Sequence, residues 1–301
     1  MAEELHFSRA AARVFLAQQA LSRQIRELED ELGVQLFIRS TRKVELTAAG
    51  EVFLEGARAA LDAIDRAAAD ALKASRAVSG TLRVGFCPGA ALELTDLILT
   101  EFRDRYPDVT LDLHEYPISD PTSGLTDGSS DVGFIRLPLS TEGLETEAVF
   151  TEPMSAMVSD RHPLAHRSSI SARELLDETL TYSGSQDAVY RDFWLLNDFR
   201  DGKSEPKTVE TTSLTEDLQL VASGGAVGLI VAAARRYVNH PKVRFLVIED
   251  TAGSTLSLAW REGDVSPLAE RLRAVVRTVR DRETETIDML EHPPRSEAQP
   301  S

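Results

Sequence analysis

The chain of 301 residues contains one cysteine, Cys87, which excludes an internal disulfide and a cysteine-based zinc cluster. No run approaches the roughly 20 consecutive apolar residues needed to cross a bilayer. The opening MAEELHFSRAAARVF is charged from Glu3 onward and has no long apolar centre, so it does not read as a secretion signal. These absences predict a cytoplasmic protein with no membrane partner. The histidines His6, His114, His162, His166, His240 and His292 are scattered. His162 and His166 have helical spacing, but Pro163 between them spoils a zinc-binding pair. There is no Gly-x-Ser-x-Gly and no phosphate loop. No metal, cofactor or catalytic residue is therefore expected, and an enzyme is not the reading the sequence favours.

A general excess of positive charge is also lacking: the formal net charge is −16. That argues against nucleic-acid binding over the whole surface, but the charge is unevenly distributed. Residues 1–79 hold 11 Lys/Arg against 12 Asp/Glu, whereas the rest hold 22 against 37. The first quarter escapes the acidity of the remainder. A small basic face on an acidic body can grip DNA locally while the body stays off the phosphates.

Within that quarter, LAQQALSRQIRELEDELG (residues 16–33) reads as a helix whose charges oppose its dipole. Gln18, Gln19, Ser22, Arg23 and Arg26 come first; Glu27, Glu29, Asp30 and Glu31 come last. Leu21, Ile25, Leu28 and Leu32 form one apolar stripe, and Gly33 stops the helix. A short preceding helix capped by Ser8, with small Ala10 and Ala11, makes a helix-turn-helix. VQLFIRSTRKVELT alternates around Ser40 and Thr41, predicting a two-stranded wing that carries Arg39, Arg42 and Lys43. From Thr47 a long helix runs to about Val78. Its Phe53, Ala57, Leu61, Ile64, Ala68 and Ala71 recur near about 3.5 residues per turn, the seam of a helix paired with another helix.

After Ser79-Gly80 the pattern becomes strand–helix–strand. TLRVGF, VTLDLHEY and DVGFIRL are strands, with a helix from about Ala91 to Tyr106, which predicts a mostly parallel α/β sheet. From Pro153 a second unit follows. It comprises MSAMVS, a helix SARELLDE, the strand TLTYSG, a helix from about Tyr190 to Phe199, the strand KTVETT, the helix LTEDLQLVASG, and the strands GAVGLIV and KVRFLVI. TLSLAWR is a returning strand and SPLAERLRAVVRTVRDR a closing amphipathic helix.

AEELHFSRAA, ALSRQIRELEDELGVQLFIR, VELTAAG, GTLRVGF and DVGFIRL resemble the LysR-type transcriptional regulators. The resemblance runs in order from Ala2 to about Val275. It implies an α/β protein with a winged helix-turn-helix, a dimerising linker helix and a two-lobed effector domain like a periplasmic binding protein. The partners implied are double-stranded DNA, a small-molecule effector and further copies of the chain, usually as tetramers. The expected boundaries are 1–47 for the winged helix-turn-helix and 48–79 for the linker helix. Lobe I takes 80–151 with 264–290, lobe II takes 152–263, and a polar, proline-rich tail at 291–301 is expected to be disordered. With the second helix entering a major groove by its amino end, Gln18, Gln19, Ser22, Arg23 and Arg26 face the duplex, and Arg39, Arg42 and Lys43 on the wing add backbone or minor-groove contacts.

The chain departs from the family pattern in two places. Ala17-Gln18-Gln19 stands where Ser-Gln-Pro is usual, so Ala17 supplies no capping hydroxyl. The family also carries a further helix ahead of the segment matching EELHF. Without it Phe7, Val14, Phe15 and the linker would expose apolar surface, and a misplaced start is expected. The alternative is a metabolite-binding sensor with impaired DNA binding.

Effectors in such folds sit in the cleft, at strand ends and helix amino termini. The candidates are the loop Cys87, Pro88, Gly89 and Ala90, where the family often has a hydroxyl; Ile118 and Ser119 after Tyr116-Pro117; Ser183 and Ser185; Thr212 and Ser213 beside Thr211; and Arg136 as a source of positive charge. The serines and threonines can equally be plain helix caps, and Arg136 a structural ion-pair partner. Cys87 could sense oxidants, but no second cysteine exists to resolve it. By family analogy the effector is a small organic anion.

Overall fold

Helix α1, Phe7–Arg13, is capped by His6 rather than Ser8: the His6 ring accepts the Arg9 N–H at 3.4 Å. Ser8 instead donates its hydroxyl to Gln18 Oε1 at 2.7 Å, tying α1 to the start of α2, Gln18–Leu32. Ala10, Ala11 and Leu21 are buried together, with Met1 and Ile25 packed against them. As Ala17 predicts, α2 begins without a side-chain cap. Gly33 closes it in the left-handed conformation at φ 71°, which a side chain would disfavour. The computed structural model describes residues 1–39, 43–88, 91–200, 205–264 and 266–293. Side chains at 39, 62, 65, 66 and 68–79 are outside the described set. The chain divides into two units, Met1–Ala68 and Ala69–Ser301.

Strands β1, Phe37–Arg39, and β2, Val44–Leu46, pair antiparallel with Phe37 opposite Leu46, the predicted wing. Its base is held by a residue that the charge pattern made look solvated. Glu29 is buried, and its Oε1 accepts the backbone N–H groups of Leu36 at 2.9 Å and Phe37 at 3.1 Å. Glu29→Ala would strand two buried amides, each costing about 1–3 kcal/mol. Urea unfolding of the first unit should shift accordingly, with faster hydrogen exchange at the Leu36 and Phe37 amides. Unaltered exchange there would show that other groups hold the wing.

Helix α3, Ala48–Ser79, is opened by Thr47, whose hydroxyl accepts the Gly50 N–H at 2.9 Å and donates to the Gln35 carbonyl at 2.7 Å. Gly50 is required here, since an added Cβ would lie 2.1 Å from the Leu36 carbonyl oxygen. The apolar seam is uncovered where it is described: Leu61 is 61% and Ile64 64% exposed. Phe15 and Val14, after α1, are also exposed, whereas Phe7 packs near the Phe37 ring at 6.5 Å.

The second unit holds a five-stranded sheet in the order β4-β3-β5-β13-β6. Its members are β3 (Thr81–Phe86), β4 (Thr110–Glu115), β5 (Val132–Leu137), β6 (Leu144–Glu152) and β13 (Ser254–Arg261), with α4 (Thr95–Arg105) following β3. β3 runs parallel to β4 and β5, but β13 is antiparallel to β5 and β6. The sheet is thus mixed, with β13 running against the other four strands. β13 falls inside residues 152–263, expected in lobe II, yet it pairs with the first sheet. β6 escaped prediction because Glu145, Thr146 and Glu147 break its apolar pattern; Glu145 accepts the Trp260 indole N–H and Glu147 pairs with Arg277.

The second core surrounds β7 (Met154–Ser159), β8 (Ser169–Ile170), β11 (Gly228–Val231) and β12 (Val243–Ile248) in the order β11-β7-β12-β8. β9 (Thr179–Tyr182) pairs parallel with β10 (Lys207–Glu210). SARELLDE forms one 3-10 turn at Ala172–Leu175, capped reciprocally by Ser171 and Glu174, not a helix. α5, Ala188–Trp194, ends before a separate short turn at Asn197–Phe199. α6, Leu214–Ser223, is capped by Ser213. The chain passes between the two sheets at Pro153, and again between β12 and β13. α7, Pro267–Arg282, buries Leu272, Val275, Val276 and Val279 against the first sheet's core, and α8, Thr284–Glu291, was not anticipated. The tail from 294 lies outside the described residues. Among the described residues no helix is long and apolar enough to cross a membrane, and no cluster of potential ligands could hold a metal ion.

Candidate functional site

In the first unit, Gln18, Gln19, Ser22, Arg23 and Arg26 recur on one side of α2, and all except half-buried Ser22 are exposed. A face of two amides, a hydroxyl and two guanidiniums offers hydrogen-bond donors to phosphates and to base edges. Arg23 extends along the helix to Glu27, with Nε 2.7 Å from Oε1 and the guanidinium 80% exposed. That contact raises the Arg23 pKa, so its positive charge is secure. On the wing, Lys43 is paired with Glu45 at 2.6 Å. Arg39 lies in β1 but its side chain is outside the described set, and Arg42 is outside the described residues altogether.

In the second unit, a cavity of about 610 Å³ gathers segments that are far apart in sequence. Cys87 and Pro88 come from the end of β3, and Tyr116, Pro117 and Ile118 from the end of β4. Arg136 is on β5, Ser183 follows β9, and Thr212 and Ser213 precede α6. The strand-end logic therefore brings Cys87, Pro88, Ile118, Arg136, Ser183, Thr212 and Ser213 around one space. Gly89 and Ala90 lie outside the described residues. Ser119 is exposed and away from the lining. Ser185 is turned inward: its Oγ accepts the Asp187 N–H at 3.3 Å, and its carbonyl accepts the Tyr182 hydroxyl.

Reasoning from hydroxyls and charges missed most of the wall. Tyr182, Tyr190, Trp194, Leu229, Ala234 and Tyr237 line it, with Leu214 from the first turn of α6. Tyr190 and Trp194 sit one helical turn apart on α5, their ring centroids 5.8 Å from each other. That i, i+4 aromatic pair was the signal available in the sequence, but the same pattern also describes an ordinary core face.

Arg136 is 6% exposed and its Nη1 lies 2.6 Å from Glu152 Oε1. Glu152 is fully buried, and its other oxygen accepts the Ala233 N–H at 2.9 Å. Burial pushes the Glu152 carboxyl up, against the opposing pull of Arg136 and the Ala233 amide. Arg136 thus does both things the sequence left open: it pairs within the fold and lines the cavity. Burial also pushes the Cys87 thiol up, with nearby Arg136 opposing. A thiol held protonated is a poor redox nucleophile, which weakens the oxidant-sensing alternative.

The α6 terminus is a cap. Thr212 donates its N–H at 2.6 Å and its hydroxyl at 2.9 Å to Glu216 Oε2, while Ser213 Oγ accepts the Glu216 N–H at 3.3 Å. The Thr212 N–H holds the Glu216 carboxyl below its usual range. Asp217 is buried, which pushes it up; Thr211 donates to its Oδ1 at 2.6 Å.

Comparison with known proteins matches both units. Residues 1–51 match the family described as bacterial regulatory helix-turn-helix protein, lysR family, and residues 75–281 the LysR substrate binding domain. The HTH-type transcriptional regulator YnfL of Escherichia coli is 34% identical over 279 residues, covering 91% of this chain and 93% of the relative. The Hca operon transcriptional activator HcaR of Escherichia coli is 33% identical over 288 residues, covering 92% and 93%. Full-length BenM has a similar structure, with a TM-score of 0.56 and 28% identity over 94% of each chain. The chain belongs to the LysR family, the DNA-binding transcriptional regulators that respond to small-molecule effectors.

Proposed function

We propose that the exposed side of α2 carrying Gln18, Gln19, Ser22, Arg23 and Arg26 docks in the DNA major groove, and that the effector binds in the cavity framed by Cys87, Ile118, Arg136, Ser183, Thr212 and Ser213. The observation that carries this reading is the convergence of strand ends from both sheets on one space of about 610 Å³, within the range of small-molecule sites. The exposed Leu61 and Ile64 on α3 support self-pairing through that helix, because an uncovered apolar stripe on a long helix is stabilised by a second one. Two copies so joined present two α2 helices to two half-sites.

Electrophoretic mobility shift with the region upstream of the chain's own gene, repeated across a set of metabolites, tests both halves. A retarded band whose affinity changes with one metabolite is the expected result. Leu214→Trp, which fills the cavity from α6, should abolish that change. A response that survives the substitution would place the effector elsewhere. Effector binding without any retarded band would favour the impaired-DNA-binding sensor.

A further inference from the structure

We infer that the effector cavity takes an uncharged aromatic molecule carrying a hydrogen-bond donor, and that it selects against carboxylates. This rests on the reading of the cavity as the effector site, and it reverses the organic anion expected from the family.

The wall has the shape and chemistry for a ring. Tyr116, Tyr182, Tyr190, Trp194 and Tyr237 are distributed around it, and Leu229 and Val231 add aliphatic surface. Such surfaces bury a flat apolar body well. The polar groups decide the charge. Arg136 is the only basic side chain among the described lining residues. Its guanidinium is neutralised by Glu152 at 2.6 Å, and a ligand carboxylate that captured it would leave Glu152 fully buried with the Ala233 N–H alone. An ion without its partner in that position is strongly disfavoured.

Several of the other donors are turned to internal acceptors. Thr212 directs both its N–H and its hydroxyl to Glu216, so the α6 terminus already holds a carboxylate. The Tyr116 hydroxyl donates to Ser129 Oγ at 2.7 Å, and that of Tyr182 donates to the Ser185 carbonyl. The neutral donors of Ser183, Tyr190 and Trp194 share the lining with two acids, Glu115 and Asp217. A carboxylate ligand would add a further negative charge beside them, whereas an amide or phenol can donate to Glu115. A cation meets no such repulsion, but the loss of its hydration penalises it.

The test uses the full-length chain and isosteric pairs: benzamide against benzoate, cinnamamide against cinnamate, with benzylamine as the cation. Titration calorimetry and thermal shift should show each amide binding at least about tenfold tighter than its acid, and tighter than the amine. Leu214→Trp and Leu229→Trp should abolish binding, with circular dichroism checking that each variant is folded. Should both misfold, quenching of tryptophan fluorescence by the amide in the unmodified chain, lost in Trp194→Phe, still locates the ligand. Carboxylates binding as well as or better than amides, the amine binding best, or no probe binding at millimolar concentration would each overturn the inference. Amide binding untouched by the tryptophan variants and by Trp194→Phe would instead overturn the cavity as the site. Acid binding that those variants remove would leave the site standing and sink only the ligand class.

Discussion

Glu152→Ala should destabilise the second unit by about 3–5 kcal/mol, read as a lowered urea midpoint of the full-length chain with the slope unchanged. The magnitude follows from what the substitution leaves behind. Arg136 is 6% exposed, and its guanidinium faces Glu152 at 2.6 Å. Removing the carboxylate leaves a buried positive charge with no counterion, together with the Ala233 N–H stripped of its acceptor. Charge repulsion is not the cause; the cost is desolvation without compensation. The double variant Arg136→Met, Glu152→Leu should recover most of the loss, because a buried pair replaced by apolar side chains of similar volume is often neutral or stabilising. If the double variant is as unstable as Glu152→Ala, the pair holds something beyond its own charges, such as the passage of the chain through Pro153. If Glu152→Ala is within about 0.5 kcal/mol of the unmodified protein, the site is wetter than its burial states.

That pair also shows where sequence reading stops. Arg136 is visible as a charge at a strand end, but Glu152 closes β6, which the sequence did not reveal, and nothing local says that two strands will set the pair against each other. Glu29 poses the same problem at shorter range. In the sequence it is one of four acids closing a helix, yet the fold folds it inward beneath the Leu36 and Phe37 amides. By contrast, elements set by nearest-neighbour chemistry were legible: Gly33 ends α2, Thr47 opens α3, and Ser266 with Pro267 opens α7. β13 lies between these cases. Its run TLSLAWR reads as a strand from composition alone, but its partners β5 and β6 are more than 100 residues earlier, so its sheet could not be assigned. The cavity divides in the same way. Strand ends and helix starts pointed to Cys87, Arg136 and Thr212, because those positions follow from topology. Tyr190, Trp194 and Tyr237 were silent, since an aromatic that lines a cavity and one that fills a core carry the same pattern.

Arg23→Ala should weaken binding to the operator by about tenfold near physiological salt and reduce the slope of log K against log salt by about 0.9, one phosphate contact. The side chain stands on the exposed side of α2 with Gln19 and Arg26, and its guanidinium is 80% exposed. Its contact with Glu27 does not argue against the role. An exposed i, i+4 pair contributes little and is screened by salt, so a phosphate can displace it. This sets a second expectation of opposite sign: Glu27→Gln should tighten operator binding, by releasing Arg23 and removing a negative charge from the face that meets the duplex. Fluorescence anisotropy over a series of salt concentrations measures both variants. An effector-induced thermal shift that persists in Arg23→Ala shows that the second unit is intact, whereas equal loss of DNA and effector binding would indicate unfolding. Were the salt slope unchanged in Arg23→Ala and the affinity unchanged in Glu27→Gln, this side of α2 would not be the one that meets DNA. The reversed order of charge along the helix would then have no polyanionic partner to explain it.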